Sequence, residues 1–161
     1  MFTKGTAMFN QILPERIDNT YLGYKLALWL FGLLLVIKIA MSLNSIFNGY
    51  SVATSADGIP LDTFTPAAAR TVVYLIATWG LAHLIISLLC MLVLVRYRSM
   101  ISLMFGMLLL ELLSRKLIHY LVPTVRTGTP PGYFVNLFLI GLMSVGLALS
   151  LLSRRDHQLP G

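Results

Sequence analysis

The chain has 161 residues, of which 57% are hydrophobic and only 11% are charged, and its mean hydropathy is +0.81. Soluble globular proteins carry about 25% charged residues, so this composition excludes a soluble protein and indicates an integral membrane protein. The length allows one domain, 1–161. The formal net charge of +6 comes from basic residues scattered around hydrophobic segments, which argues against nucleic acid as a partner.

Four hydrophobic segments are long enough to cross a bilayer core of about 30 Å as helices. The predicted spans are about 21–43, 71–95, 99–121 and 133–152, with a periplasmic loop at 44–70. The sequence therefore predicts an all-α integral membrane protein in which four transmembrane helices form an up-down bundle.

Helix boundaries follow from capping residues and prolines. Asn19 or Thr20 is expected to cap the first helix. Thr65 and Pro66 read as the cap and the first-turn proline of the second helix, which begins before its membrane part. The third helix is expected to stop before Pro123, because the residue preceding a proline disfavours the helical conformation.

The third helix is predicted to have neighbours on two faces. The very short turn at 96–99 makes the second and third helices antiparallel neighbours. Ser102 and Gly106 form a small-residue motif that allows close helix approach, and they lie roughly opposite Glu111 on a helical wheel. The third helix is thus expected either to be central in the bundle or to meet another subunit.

Basic residues predict the orientation, because loops on the cytoplasmic side carry more Lys and Arg. Seven fall on one predicted face, namely Lys4, Arg16, Lys25, Arg96, Arg98, Arg154 and Arg155. Only Arg70 and Arg126 fall on the other. Both termini are therefore expected to be cytoplasmic, in a multi-pass protein of the bacterial inner membrane.

Polar residues recur every fourth position in the third helix, at Glu111, Arg115 and His119. This spacing places them on one face of a helix. Ionisable side chains at membrane depth are costly and usually face protein or a water-filled cavity. His119 is expected to lie close to the membrane surface, whereas Glu111 lies near the midplane.

Two further polar residues are predicted at similar depth. At about 1.5 Å per residue, His83 on the second helix and Glu111 lie about 16 and 14 Å below the outer ends of their helices, and Lys38 and Arg115 each lie about 8 Å below. Lys38 is expected either to extend to the headgroups or to share Glu111 with Arg115. The candidate intramembrane cluster is Lys38, His83, Glu111 and Arg115.

Structural roles compete with functional ones at each of these positions, because polar side chains often only hold membrane helices together. A haem held by His83 and His119 is excluded by their predicted difference in depth of about 14 Å. Asp57 and Asp62 are read as turn formers, and Cys90 as a packing residue. No metal site and no cofactor is expected.

Several short stretches resemble small uncharacterised four-helix proteins of bacterial inner membranes. They are Leu43-Asn44-Ser45-Ile46-Phe47-Asn48-Gly49, Ala56-Asp57-Gly58-Ile59-Pro60-Leu61-Asp62, Arg96-Tyr97-Arg98 and Thr127-Gly128-Thr129-Pro130-Pro131-Gly132. The resemblance spans most of the chain and implies the four-helix architecture, but it implies no activity.

Three functional hypotheses follow. The first is a non-enzymatic accessory, assembly or interaction subunit of a membrane complex, in which the polar cluster holds the bundle together or contacts a protein partner. The second is a small binder or transporter, oligomeric, of an anionic or quinone/lipid-like ligand at Lys38, His83, Glu111 and Arg115. The third is an enzyme using His83 or Glu111 for proton transfer, which the sequence favours least.

Overall fold

The computed structural model describes residues 12–13, 17–123 and 125–152, and this part of the chain is helical and contains no strand. Its four long helices are α1 (Lys25–Phe47), α2 (Pro66–Arg96), α3 (Ile101–Leu121) and α4 (Pro131–Leu151). Four of the basic residues used to predict orientation, Lys4, Arg16, Arg154 and Arg155, lie outside the described residues.

Three of these helices, α1, α2 and α4, are long and apolar enough to cross a membrane. The protein is therefore a multi-pass membrane protein. α3 has 21 residues but carries the charged residues Glu111, Arg115 and Lys116, so its composition is less apolar than that of the other three helices.

The predicted start and end of the first helix were wrong by four residues each. α1 begins at Lys25 after Tyr24, which makes no side-chain capping bond. The predicted cap at Asn19 or Thr20 is also wrong, because the Asp18 carboxylate accepts bonds from the backbone and hydroxyl of Thr20 and holds a local turn there. At its other end α1 runs to Phe47, and the backbone N–H of the next residue, Asn48, donates to the Asn44 carbonyl at 2.8 Å.

The stretch predicted as an irregular loop at 44–70 is largely helical. After α1 come one turn at Gly49–Ser51, a π-helical turn at Val52–Ala56 and a 3₁₀ turn at Leu61–Thr63. We call residues 49–63 the cap, and the end of the bundle that carries it the loop end. The opposite end, where α2 turns into α3, is the turn end.

The cap is tied to the connection between α3 and α4. The backbone N–H of Thr127 donates to the Gly58 carbonyl at 2.9 Å, and its hydroxyl donates to the same oxygen at 3.2 Å. Gly58 has φ +69°, a conformation that favours glycine. A Cβ there would also lie 3.3 Å from Pro130 Cβ. The two segments that join helices at the loop end are therefore held against each other.

Other predicted boundaries are confirmed. The Thr65 hydroxyl accepts a bond from the Ala68 N–H at 3.3 Å, and Pro66 occupies the first turn of α2. α3 ends at Leu121, before Pro123.

α1 and α4, rather than α3, each pack along two other helices. α1 packs along both α2 and α4, and α3 packs along α4, so the helices follow the order α2, α1, α4, α3 around the bundle. α2 and α3 make few contacts although a 3₁₀ turn at Arg98–Met100 joins them. Of the two alternatives for α3, the central position is therefore wrong, and the contact with another subunit stays a prediction. Gly106 has no neighbour within 4 Å where a Cβ would project.

Two separate apolar cores form along the bundle. The larger one, towards the turn end, contains Phe31 of α1 and Phe105 of α3, whose rings meet edge to face at a centroid distance of 4.8 Å. The smaller one lies beneath the cap and joins Val52 and Leu61 to Ile76 of α2. The residues of the polar cluster belong to neither core.

α1 and α2 approach each other closely at Gly80. A Cβ on Gly80 would lie 2.7 Å from Ser45 Cβ and 2.9 Å from the Ser42 carbonyl oxygen. Glycine therefore allows the two backbones to approach closely, as small residues do in membrane helix pairs.

We predict that Gly80→Ala lowers the free energy of unfolding by about 1–3 kcal/mol, because the added methyl group overpacks a backbone contact. Chemical unfolding in mixed micelles, followed by circular dichroism, measures this change. Gly141→Ala is the matched control, since a Cβ at Gly141 meets no atom within 4 Å. Equal stability of the two variants would contradict the close α1–α2 approach.

Candidate functional site

The Glu111 carboxylate lies at the centre of the polar cluster and contacts three basic side chains. Lys38 Nζ lies 3.3 Å from Oε2, while His83 Nε2 and Arg115 Nε lie 3.6 and 2.8 Å from Oε1. The contacts come from α1, α2 and the next turn of α3 itself. One carboxylate therefore connects three helices.

Lys38 points into the bundle. Only 7% of its side chain is exposed, and Nζ donates a hydrogen bond to Glu111. Of the two alternatives left open by the sequence, the structure shows the shared carboxylate and not extension towards the membrane surface. The backbone carbonyl of Lys38 accepts a second hydrogen bond within α1, from the Ser42 hydroxyl at 2.7 Å.

Arg115 lies between Glu111 and an aromatic side chain that the sequence reading did not select. Its guanidinium carbon lies 4.6 Å from the centre of the Trp79 ring, within the range of a cation–π contact. The same ring meets His83 edge to face at 4.9 Å. Trp79 and His83 are four residues apart on α2, and this spacing is the signal that places them on one face.

The cluster lies where α2 and α3 face each other with few contacts, a region that we call the α2–α3 seam. Trp79 and His83 lie on the α2 side, and Glu111 and Arg115 on the α3 side. The Glu111 and Arg115 side chains are 27% and 31% exposed at the protein surface, and Trp79 is 37% exposed. The charges are thus only partly covered by the protein on this side.

A cavity of about 100 Å³ adjoins the cluster. It is bounded by all four helices and by the cap. Its lining residues are Lys38, Met41, Ser42, Ser45, Val52, Ala56, Asp57, Trp79, Gly80, His83, Arg115, Gly132, Asn136 and Leu139. The predicted cluster thus forms one wall of a space between the helices and the cap.

Asp57 contributes a second carboxyl group to this cavity, which its reading as a turn former did not anticipate. Burial raises the pKa of Asp57, while the nearby charges of Arg126 and Arg115 act in the opposite direction. Gly132 allows the cap to lie close to α4, since a Cβ there would lie 2.7 Å from the Ala56 carbonyl oxygen.

Two side-chain nitrogen atoms in the cluster lack a hydrogen-bond partner. His83 Nδ1 and Arg115 Nε are both buried and unbonded within the described part of the chain. The 2.8 Å contact of Arg115 with Glu111 is therefore an ion pair without an aligned hydrogen bond. Buried polar atoms without partners are costly, and in native proteins they usually contact water or a bound group.

The remaining candidates lie apart from the cavity. His119 is exposed near the loop end of α3, and Asp62 is exposed in the cap. Cys90 is buried in the larger apolar core. Within the described residues, no group of three or more His, Cys, Asp or Glu side chains is arranged to hold a metal ion.

We predict that Glu111→Gln lowers the free energy of unfolding by about 2 kcal/mol or more, because it leaves Lys38 and Arg115 without their shared counter-charge. The loss should be below the 3–5 kcal/mol typical of fully buried pairs, since Glu111 is partly exposed. Unfolding in mixed micelles measures it.

A double-mutant cycle separates the ion pair from other effects of the substitution. Adding Lys38→Met to Glu111→Gln should cost less than the sum of the two single changes. Lys116→Gln, one residue beyond Arg115, is the matched control outside the cluster; among the described residues, the only contact of the Lys116 charge that it removes is that of Nζ with the Tyr133 ring of α4, at 5.0 Å from the ring centre. Strict additivity of the Lys38 and Glu111 changes would show that their contact does not stabilise the fold.

Comparisons with protein-family models, with curated protein sequences and with solved structures gave no match. The resemblance to small four-helix inner-membrane proteins therefore stays a prediction, and the function is argued from the site itself.

Proposed function

We propose that this chain is a non-enzymatic integral membrane protein that acts as an accessory, assembly or interaction subunit of a membrane complex. The observation that carries the proposal is the Glu111 carboxylate, whose two oxygens are both engaged by basic groups of the same chain. A carboxylate used in this way stabilises helix packing, whereas a proton-transfer group needs a substrate atom within hydrogen-bond reach.

The same ion pairs support a fourth span. Glu111 and Arg115 neutralise each other one turn apart, and Lys38 adds a further contact from α1. Pairing of this kind reduces the cost of placing charges at membrane depth. We therefore include α3 among the spans, in a bacterial inner-membrane protein with both termini in the cytoplasm and with the cap on the periplasmic side.

A second candidate function is favoured by the cavity. A small, oligomeric binder or transporter of an anionic or quinone/lipid-like ligand would use the unbonded Arg115 Nε and the basic groups beside it. The cluster has Lys38 and Arg115 against Glu111, an excess of one positive charge when His83 is neutral. Asp57 adds a negative charge to the cavity lining when it is ionised. Such an excess suits an anion.

The subunit hypothesis predicts that Glu111→Gln reduces association with a protein partner or with a second copy several-fold. The substitution removes the charged contacts that hold α1, α2 and α3 together, and the surface that these helices form is then less well ordered. Cross-linking in intact membranes, affinity purification and quantitative mass spectrometry measure the retained partner. Lys116→Gln should leave it unchanged. A Glu111→Gln protein with normal stability and normal assembly would count against the proposal.

The predicted orientation places the position after Gly161 in the cytoplasm, so a fluorescent protein fused there should be fluorescent and alkaline phosphatase fused there should be inactive. The position after Gly128, between α3 and α4, should be periplasmic and give the opposite result with the same two reporters. Periplasmic activity of the fusion at Gly161 would overturn the assignment of the termini.

A further inference from the structure

We propose that the cavity binds the single anionic head, a carboxylate or a phosphate, of a membrane lipid whose acyl chain stays in the bilayer along the α2–α3 seam. This inference rests on the second candidate function, the binding of a ligand at the polar cluster, and it specifies the chemistry of that ligand.

The size of the cavity limits what enters it. The cavity has a volume of about 100 Å³. Pockets that enclose a whole small-molecule ligand measure about 300–1,000 Å³. The cavity therefore has room for one small polar head, and a complete lipid does not fit inside it.

The lining groups favour a negative head. Lys38 has three ammonium donors, one of which reaches Glu111, and the Arg115 guanidinium has five N–H donors, of which Nε–H faces Glu111 at 2.8 Å without an aligned hydrogen bond. Asn136 contributes an amide from α4 to the same lining. An oxyanion placed among these groups would receive charge-assisted hydrogen bonds, which are about twice as strong as bonds between neutral groups.

The wall between the cavity and the surrounding lipid is thin at the α2–α3 seam. Trp79 and Arg115 line the cavity and touch each other across the seam, and both side chains are also partly exposed at the protein surface. The helices behind them make few contacts. Displacing these two side chains therefore connects the cavity to the bilayer without separating a packed helix interface.

This route favours a lipid head over a free anion. An amphiphile already in the bilayer brings its acyl chain to the exposed face of Trp79, where the chain gains apolar contact while the head reaches Arg115. A free anion has no such contact. The ligand class is therefore an anionic amphiphile with a small head, such as a fatty acid or a phosphate monoester of a lipid.

Trp79 supplies a direct readout. The chain has two tryptophans, and Trp29 on α1 is 79% exposed, so Trp29→Phe leaves Trp79 as the single fluorophore. This protein is reconstituted in phosphatidylcholine vesicles and titrated with dibrominated stearate at mildly alkaline pH, where the probe is ionised. Bromine quenches tryptophan only at short range. We expect saturable quenching of Trp79, and only linear quenching by the dibrominated stearyl alcohol, which has the same chain without the charge.

Two substitutions should move the half-saturating concentration in opposite directions. Arg115→Gln removes a charged donor and should raise it about tenfold or more. Lys116→Gln, the matched control, should change it less than about twofold. Asp57→Asn removes a negative group from the lining and should lower it several-fold. The Asp57 variant keeps the proposal testable if Arg115→Gln fails to fold.

Each opposite result overturns the inference. Equal quenching by the acid and the alcohol would exclude recognition of an anion, and equal shifts in the Arg115 and Lys116 variants would exclude the cavity as the site. Displacement of the stearate by inorganic phosphate at equal concentration would assign the site to a free anion instead of a lipid. If native mass spectrometry then found a neutral ligand retained at the cluster, the second candidate function would survive while this inference failed.

Discussion

The structure depends on the sharing of one carboxylate among three basic side chains between the helices. Two cations and a histidine buried there would each be costly alone, because charges are poorly solvated away from water. Glu111 offsets that cost for Lys38 and Arg115 at once, and it thereby constrains the relative positions of α1, α2 and α3. The rotation of α1 and α3 about their own axes is constrained by the same contact, since another rotation would separate Lys38 from Glu111.

The cavity is a consequence of having two apolar cores with polar side chains between them. Apolar residues pack to high density because they need no defined partners, as around Phe31 and Phe105. Long polar side chains converging on one carboxylate fill space less completely. The cap then covers the space from the loop end with Val52 and Asp57. The space therefore arises from the same residues that hold the helices together.

The sequence identified the members of the polar cluster because two simple regularities locate them. The helical repeat pairs Glu111 with Arg115, and distance from the helix ends brings His83 and Lys38 to a similar depth. Trp79 was missed because an aromatic residue in an apolar segment carries no polar signal. Asp57 was missed because its position depends on a π-helical turn that folds the cap back over the bundle. The sequence could not decide between a central α3 and an α3 with a face open to another subunit, because packing order depends on close approaches such as that at Gly80, which no periodicity encodes.

The bonds between Gly58 and Thr127 have a mechanical consequence for the α2–α3 seam. At one end of the seam, the short turn through Arg98–Met100 joins the two helices covalently. At the other end, the cap that leads into α2 is fastened to the segment that follows α3. With both of its ends held, the α2–α3 seam can separate most easily in its middle, where Trp79 and Arg115 contact each other.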